Sequence, residues 1–184
     1  MEYEKFNPLD ASSKFAICGM PIRMDSYRTC TFGCKYCFSN NRTLGGVASG
    51  PLQIGNPTSV KNRLKRIFDD NDEEKFIFLD YLIANRYTWH CGGMSDPFQI
   101  CEKEIKATEN IVNITNEYDI HILFSTKSDT YYGSNLNPKL HSFQLSVTNV
   151  NNRRDIEPNV PDIQDRINFF KTLKNKGFRV GIRI

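Results

Sequence analysis

The sequence has no uninterrupted apolar run long enough to cross a bilayer, since a spanning helix needs about 20 such residues. Its first residues, Met1-Glu-Tyr-Glu-Lys-Phe6, lack the basic-then-apolar order of a secretory signal. Both absences make the cytoplasm the expected compartment and leave no membrane partner. No charge of one sign dominates: the net charge is +3 with 24% charged residues. That mild basic bias is compatible with nucleic acid, but a solvated surface explains it as well. Only three histidines occur, and they show no ligand spacing. There is no internal repeat, low-complexity tract or convincing linker, so the 184 residues are read as one domain, 1–184.

What the chain does have is six cysteines, three of them in one short run. Tyr27-Arg-Thr-Cys30-Thr-Phe-Gly-Cys34-Lys-Tyr-Cys37-Phe-Ser-Asn40 carries the spacing C-x3-C-x2-C. Chance is a poor explanation for so compact a set. A disulfide framework is disfavoured, because the chain is long enough to bury a core without staples. Three thiolates on one loop can hold three irons of a cubane cluster and leave the fourth open. An open metal position is where substrates bind and chemistry occurs. The competing reading is a zinc knot that borrows a fourth ligand, His90 or Cys91.

The apolar pattern alternates between short runs and helical periods. Short strands are expected at Lys14–Cys18, Ile22–Met24, Arg86–Cys91, Asp119–Thr126, Phe143–Val147 and Phe178–Ile184. Asn40–Asn56, rich in Gly, Ser, Pro and Asn, reads as loop. Helices are expected after Thr58 or Ser59 as cap, over residues 100–117, and after Asp162, with Gly177 ending the last. Phe76–Ile83 is ambiguous between helix and strand. Strands alternating with helices predict an α/β fold with a parallel sheet. In such folds sites gather at the carboxyl ends of strands. The residues Cys30–Cys37, Gly92–Asp96, Lys127 and Ser146 all fall there.

The cysteine loop, with the aromatic Tyr36 before Cys37, resembles the signature of the radical S-adenosylmethionine (radical SAM) enzymes. The glycine turn in Trp89-His-Cys-Gly-Gly-Met-Ser95-Asp-Pro-Phe-Gln99 is similar to the radical SAM motif that binds the SAM amino group, and Ser95–Gln99, with Glu102 following, is similar more narrowly to the spore photoproduct lyase-like branch. The resemblance implies an incomplete parallel (βα) barrel of the radical SAM type, with about five βα units and the last missing. It implies a [4Fe-4S] cluster on Cys30, Cys34 and Cys37, with S-adenosyl-L-methionine on the open iron. Gly92, Gly93, Ser95 and Asp96 would face the methionyl amino group, Lys127 its carboxylate, and Tyr36 the adenine. Ser146 would contact the ribose or the methionyl end. An electron donor such as flavodoxin or ferredoxin, and nucleic acid as leading substrate class, follow from the same resemblance. In that branch a cysteine hydrogen donor lies three residues before the aspartate. Here that position is Gly93, and Cys91 is displaced by two, a weak catalytic candidate and more readily a buried thiol. Arg153 or Arg154 would hold an anionic substrate or form a surface charge cluster, while Glu157-Pro158 reads as structural. A shortened barrel would leave an open sheet edge for a second copy. The rival is a non-catalytic metal-binding scaffold, zinc or iron–sulfur, or a degenerate remnant of the enzyme.

Overall fold

The computed structural model describes residues 3–12, 19–39, 50–70, 72–133, 135–148, 151 and 154–184. The strand expected at Lys14–Cys18, the first part of the loop at 40–49 and the candidate Arg153 lie outside them. A six-stranded sheet organises the chain, in the order β2-β3-β5-β6-β7-β8. Its members are β2 (Leu9–Ala11), β3 (Ile22–Met24), β5 (Trp89–Cys91), β6 (Ile122–Thr126), β7 (His141–Ser146) and β8 (Arg179–Arg183). All neighbours from β3 to β8 pair in parallel, and β2 alone is antiparallel. A small parallel pair, β1 (Glu4–Phe6) with β4 (Gln53–Gly55), lies outside this sheet.

The crossovers carry α1 (Pro57–Phe68) and α2 (Phe78–Ala84) before β5, α3 (Glu102–Ile105) and α4 (Ala107–Glu117) before β6, and α5 (Ile163–Asn175) before β8. Among the described residues, the β6–β7 link carries no helix.

Three boundaries differ from the sequence pattern. The cap of α1 is Asn56, whose Oδ1 accepts from Thr58 N at 3.1 Å. Pro57 explains this: proline suits the first helical position, so the cap falls just before it. The expected helix over 100–117 breaks at Lys106, which is left-handed with φ 57°. Buried Glu102 supplies the reason. Its carboxylate accepts the N–H groups of Thr108 (3.1 Å) and Glu109 (2.8 Å), capping α4 as a separate helix. Finally, the loop-like 40–56 stretch ends in strand β4, because β1 offers it a partner. The ambiguous Phe76–Ile83 segment resolves as helix α2.

The two faces of the main sheet differ in kind. Ile22, Met24, Trp89, Cys91, Ile122, Phe124, Phe143 and Leu145 point to one face and are fully or almost fully buried. Helices α1, α4 and α5 cover it with Val60, Leu64, Ile67, Ile111, Val112, Phe169, Phe170 and Leu173. Phe98, Phe124 and Phe143 pack ring to ring at 5.1–5.9 Å between centroids, a geometry that adds to area burial. The other face presents Arg23, His90, Ser125 and Ser146 to a cavity. No helix of the described residues is long and apolar enough to cross a membrane.

Candidate active site at the carboxyl ends of the strands

The cavity has a volume of about 760 Å³, within the usual range for a small-molecule site. It brings together Cys30, Cys34, Cys37, Tyr36, Gly92, Gly93, Ser95, Asp96, Lys127 and Ser146. Each follows, or ends, one of the parallel strands. The chain returns to the same end of the sheet after every crossover, so segments distant in sequence meet there.

The cysteine loop follows β3 and is held by polar contacts to its backbone. Gln99, fully buried, takes the N–H of Thr31 on its Oε1 (2.6 Å) and gives its amide to the carbonyl of Thr29 (2.8 Å). Ser95 donates to the carbonyl of Tyr27 at 2.6 Å. On the other side, the segment 156–160 grips the same loop. Lys35 N donates to Ile156 O (2.9 Å), Asn159 Nδ2 to Thr31 O (2.9 Å), and Val160 packs on Phe32 and Cys34. Gly33 turns the loop with φ +62°, a conformation that costs other residues energy. All three cysteines are reduced, outside any disulfide among the described residues. Burial pushes Cys30 up to about 12 and raises Cys34 as well, although the Lys127 ammonium pulls Cys34 back.

The glycine turn after β5 is shaped by its neighbour. Gly92 has φ +100°, and a Cβ there would lie 2.1 Å from the carbonyl oxygen of Ser125 on β6. Only glycine fits. At Gly93 the nearest atoms to such a Cβ are 3.8 Å away. Asp96, buried, uses both oxygens within the protein. Oδ1 accepts from Thr126 Oγ1 (2.8 Å) and Phe98 N (3.0 Å), and Oδ2 accepts from Lys127 N (2.6 Å). Burial raises its pKa, and those three donors oppose the rise. Asp96 therefore fixes the start of the Lys127 segment.

Lys127 reaches into the cavity over the ring of Tyr36, with Nζ 5.5 Å from its centroid. Nζ donates to Thr148 Oγ1 (3.1 Å) and lies 3.5 Å from Glu157 Oε1. The Tyr36 hydroxyl bonds both Thr148 (2.8 Å) and Glu157. Arg166, 1% exposed, faces Glu157 at 4.0 Å and donates to the carbonyl of Ser146. On the floor, His90 Nε2 and Ser125 Oγ are 2.8 Å apart, and Ser125 reaches Gln144 at 3.2 Å. Burial lowers the pKa of His90 and favours the neutral ring.

For two residues the structure decides between the alternatives that the sequence left open. Cys91 does not face the cavity. It is 0% exposed among Ile22, Met24, Trp89 and Phe124, on the helix-covered face of the sheet. Strand β5 ends at Cys91, so parity along the strand cannot carry its orientation on to Gly93. Arg154 does not line the cavity either; it donates to Val160 O and pairs with Asp162, bracing the loop before α5. Conversely, Glu157 contacts two residues that line the cavity. Its carboxylate lies behind the cavity wall, against the Lys127 ammonium and the Tyr36 hydroxyl, and the only signal for it in the sequence is an acidic residue before proline. Gln99 and Thr148 likewise act through contacts that periodicity does not reveal.

No family model matches the chain. An uncharacterized protein of Methanocaldococcus jannaschii is 27% identical over 168 residues, a match covering 88% of this chain and 58% of that protein. Among solved structures, a cysteine-to-serine variant of spore photoproduct lyase superposes with a TM-score of 0.68 at 15% identity, over 98% of this chain. The chain has the fold of spore photoproduct lyase, a radical SAM enzyme. A second solved form of that lyase, with bound AdoMet and dinucleoside spore photoproduct, gives 0.65 at 14% identity over 96% of this chain. The chain spans about half the length of these solved lyases, 48% and 47% respectively. The fold is thus a partial barrel built on a mostly parallel sheet.

Proposed function

We propose that the chain is a radical SAM enzyme, with a [4Fe-4S] cluster on Cys30, Cys34 and Cys37 and S-adenosylmethionine (SAM) in the cavity beside it. The observation that carries this reading is convergence: the three thiols, the glycine turn, Lys127 and Ser146 line one cavity. The donor set suits a cluster. Thiolates of a cluster bind separate irons, so they need not close on one point. Among the described residues no group of three or more His, Cys, Asp or Glu is placed to hold a single metal ion. Cys91, across the sheet, is no candidate for the fourth ligand of a zinc knot.

When bound and reduced, such a cluster supplies the electron that cleaves SAM to methionine and a 5′-deoxyadenosyl radical able to abstract hydrogen from a substrate. The chain's own residues bind and orient. Cys30 and Cys34, held protonated by burial, release their protons as metal binds. Gly92 lets backbone approach the ligand, the Lys127 ammonium takes its carboxylate, and the exposed face of Tyr36 offers a stacking surface for adenine. The substrate class proposed is nucleic acid. The solved lyases hold a dinucleoside, and the cavity adds Arg23, His90 and Arg183 to its polar face. The electron donor is a flavodoxin or ferredoxin.

The test is anaerobic reconstitution followed by reduction with SAM present. Brown protein that releases 5′-deoxyadenosine, and a Cys34→Ala variant that releases none, are expected. Colourless protein holding zinc would overturn the reading. Brown protein without cleavage would leave a metal-binding scaffold instead.

A further inference from the structure

We infer that Glu157 is the positioning residue of this cavity: through a closed ring of three hydrogen bonds and one ion pair, shared with Tyr36 and Thr148, it fixes the ammonium of Lys127 in its ligand-facing orientation. The inference rests on the SAM reading for the ligand but not for the ring itself.

The ring has four members from four parts of the fold. Tyr36 comes from the cysteine loop, Lys127 from the end of β6, Thr148 from beyond β7, and Glu157 from the loop before α5. Its polarity is forced. A lysine ammonium only donates, and an ionised carboxylate only accepts. Lys127 Nζ gives a proton to Thr148 Oγ1 at 3.1 Å. Thr148 must then give its own to the Tyr36 oxygen at 2.8 Å, because the Tyr36 proton goes to Glu157. Lys127 and Glu157 close the ring as an ion pair at 3.5 Å. No member has a free choice of rotamer partner, so the cavity wall is set before a ligand arrives.

Glu157 can play this part because it is anchored from behind. The residue is 5% exposed, Arg166 faces its second oxygen at 4.0 Å, and Ile156 and Asn159 on either side bond to the cysteine loop. The ammonium of Lys127 retains a proton that the ring does not use, and it is this proton that a ligand carboxylate would take.

Two measurements on the full chain separate the ring from its ligand. First, acylation of Lys127 by a small amine-reactive ester is followed by mass spectrometry, with exposed Lys5 as internal control. Glu157→Gln is expected to speed acylation of Lys127 by about fivefold or more, the scale of a lost pairwise coupling, without changing Lys5. Should that variant fold poorly, Thr148→Val opens the same ring at an exposed member and should act in the same direction. Second, binding of S-adenosylhomocysteine and of methylthioadenosine, which lacks the amino-acid end, is measured calorimetrically on anaerobically reconstituted protein. Glu157→Gln should weaken the first by roughly tenfold and leave the second unchanged. In a Lys127→Met background, the same substitution should cost nothing further. A purely structural role for Glu157 would weaken both ligands, and would do so in either background. Unchanged Lys127 reactivity in both variants overturns the ring. Raised reactivity with no nucleoside binding to the wild type overturns the SAM reading and leaves the ring standing.

Discussion

At the scale of single residues, the two glycines after β5 are not equivalent. Gly92 is closed to any side chain by the Ser125 carbonyl, whereas a Cβ at Gly93 would make only ordinary contacts with Arg23 and His90 at 3.8 Å. Gly92→Ala is therefore expected to destabilise the fold by about 3 kcal/mol or more, and Gly93→Ala by less than about 1 kcal/mol. Denaturant unfolding of the two variants checks the contrast, and equal losses would refute it. The Gly-Gly dipeptide is visible in the sequence as a close-approach signal. Which glycine bears the constraint is not, because the obstructing carbonyl belongs to the neighbouring strand. Cys91 teaches the same lesson. Its chemistry suggests a role, and its place in the alternation, visible only once the strand end is known, assigns it to the core.

Among the elements, the cysteine loop stands out for being held by side chains rather than by a sheet or helix. Gln99 satisfies one N–H and one C=O of that loop from a fully buried position. Gln99→Leu preserves volume but strands both groups, at about 1–3 kcal/mol for each. A loss of about 2–4 kcal/mol in unfolding free energy is expected, with helix content unchanged by circular dichroism. A loss below about 1 kcal/mol would mean that the loop does not depend on Gln99. Helices α1 and α5 are legible from their apolar stripes, and the parallel strands from their runs of β-branched and aromatic residues. The break at Lys106 and the isolated strand β4 are not. Both are decided by tertiary partners, the Glu102 carboxylate and strand β1 respectively, which leave no local period to read.

For the molecule as a whole, the sheet is dry on one face and polar on the other, and acid stress falls on the dry face. His141 is 2% exposed there, and its Nδ1 accepts the N–H of Asn137 at 2.9 Å. Burial lowers its pKa to about 4 from an ordinary 6.5. The unfolded chain thus binds a proton more readily than the folded one between those values. The neutral histidine contributes stability that is intact above pH 6.5 and lost as pH falls towards 4. Measured against a His141→Gln variant, which cancels the opposite drift of Asp25 (raised by burial to about 6), the wild type should lose up to about 3 kcal/mol across that window. A flat difference with pH would show that His141 does not titrate with unfolding. The parallel α/β plan and the end of the sheet that holds the cavity are readable from element order. The network joining Glu157 to Tyr36 is not, because its partners are 121 residues apart.

That same separation sets a timetable for synthesis. The cysteines leave the ribosome long before Ile156–Val160, the segment that clamps their loop from the far side. Until that segment emerges the thiols are tethered on one flank only, open to oxidants and to stray metals. Nascent chains arrested before Ile156 should be alkylated at Cys34 much faster than the finished protein. Closure of the clamp on the cysteine loop is then a late event, timed by the arrival of the crossover between β7 and β8.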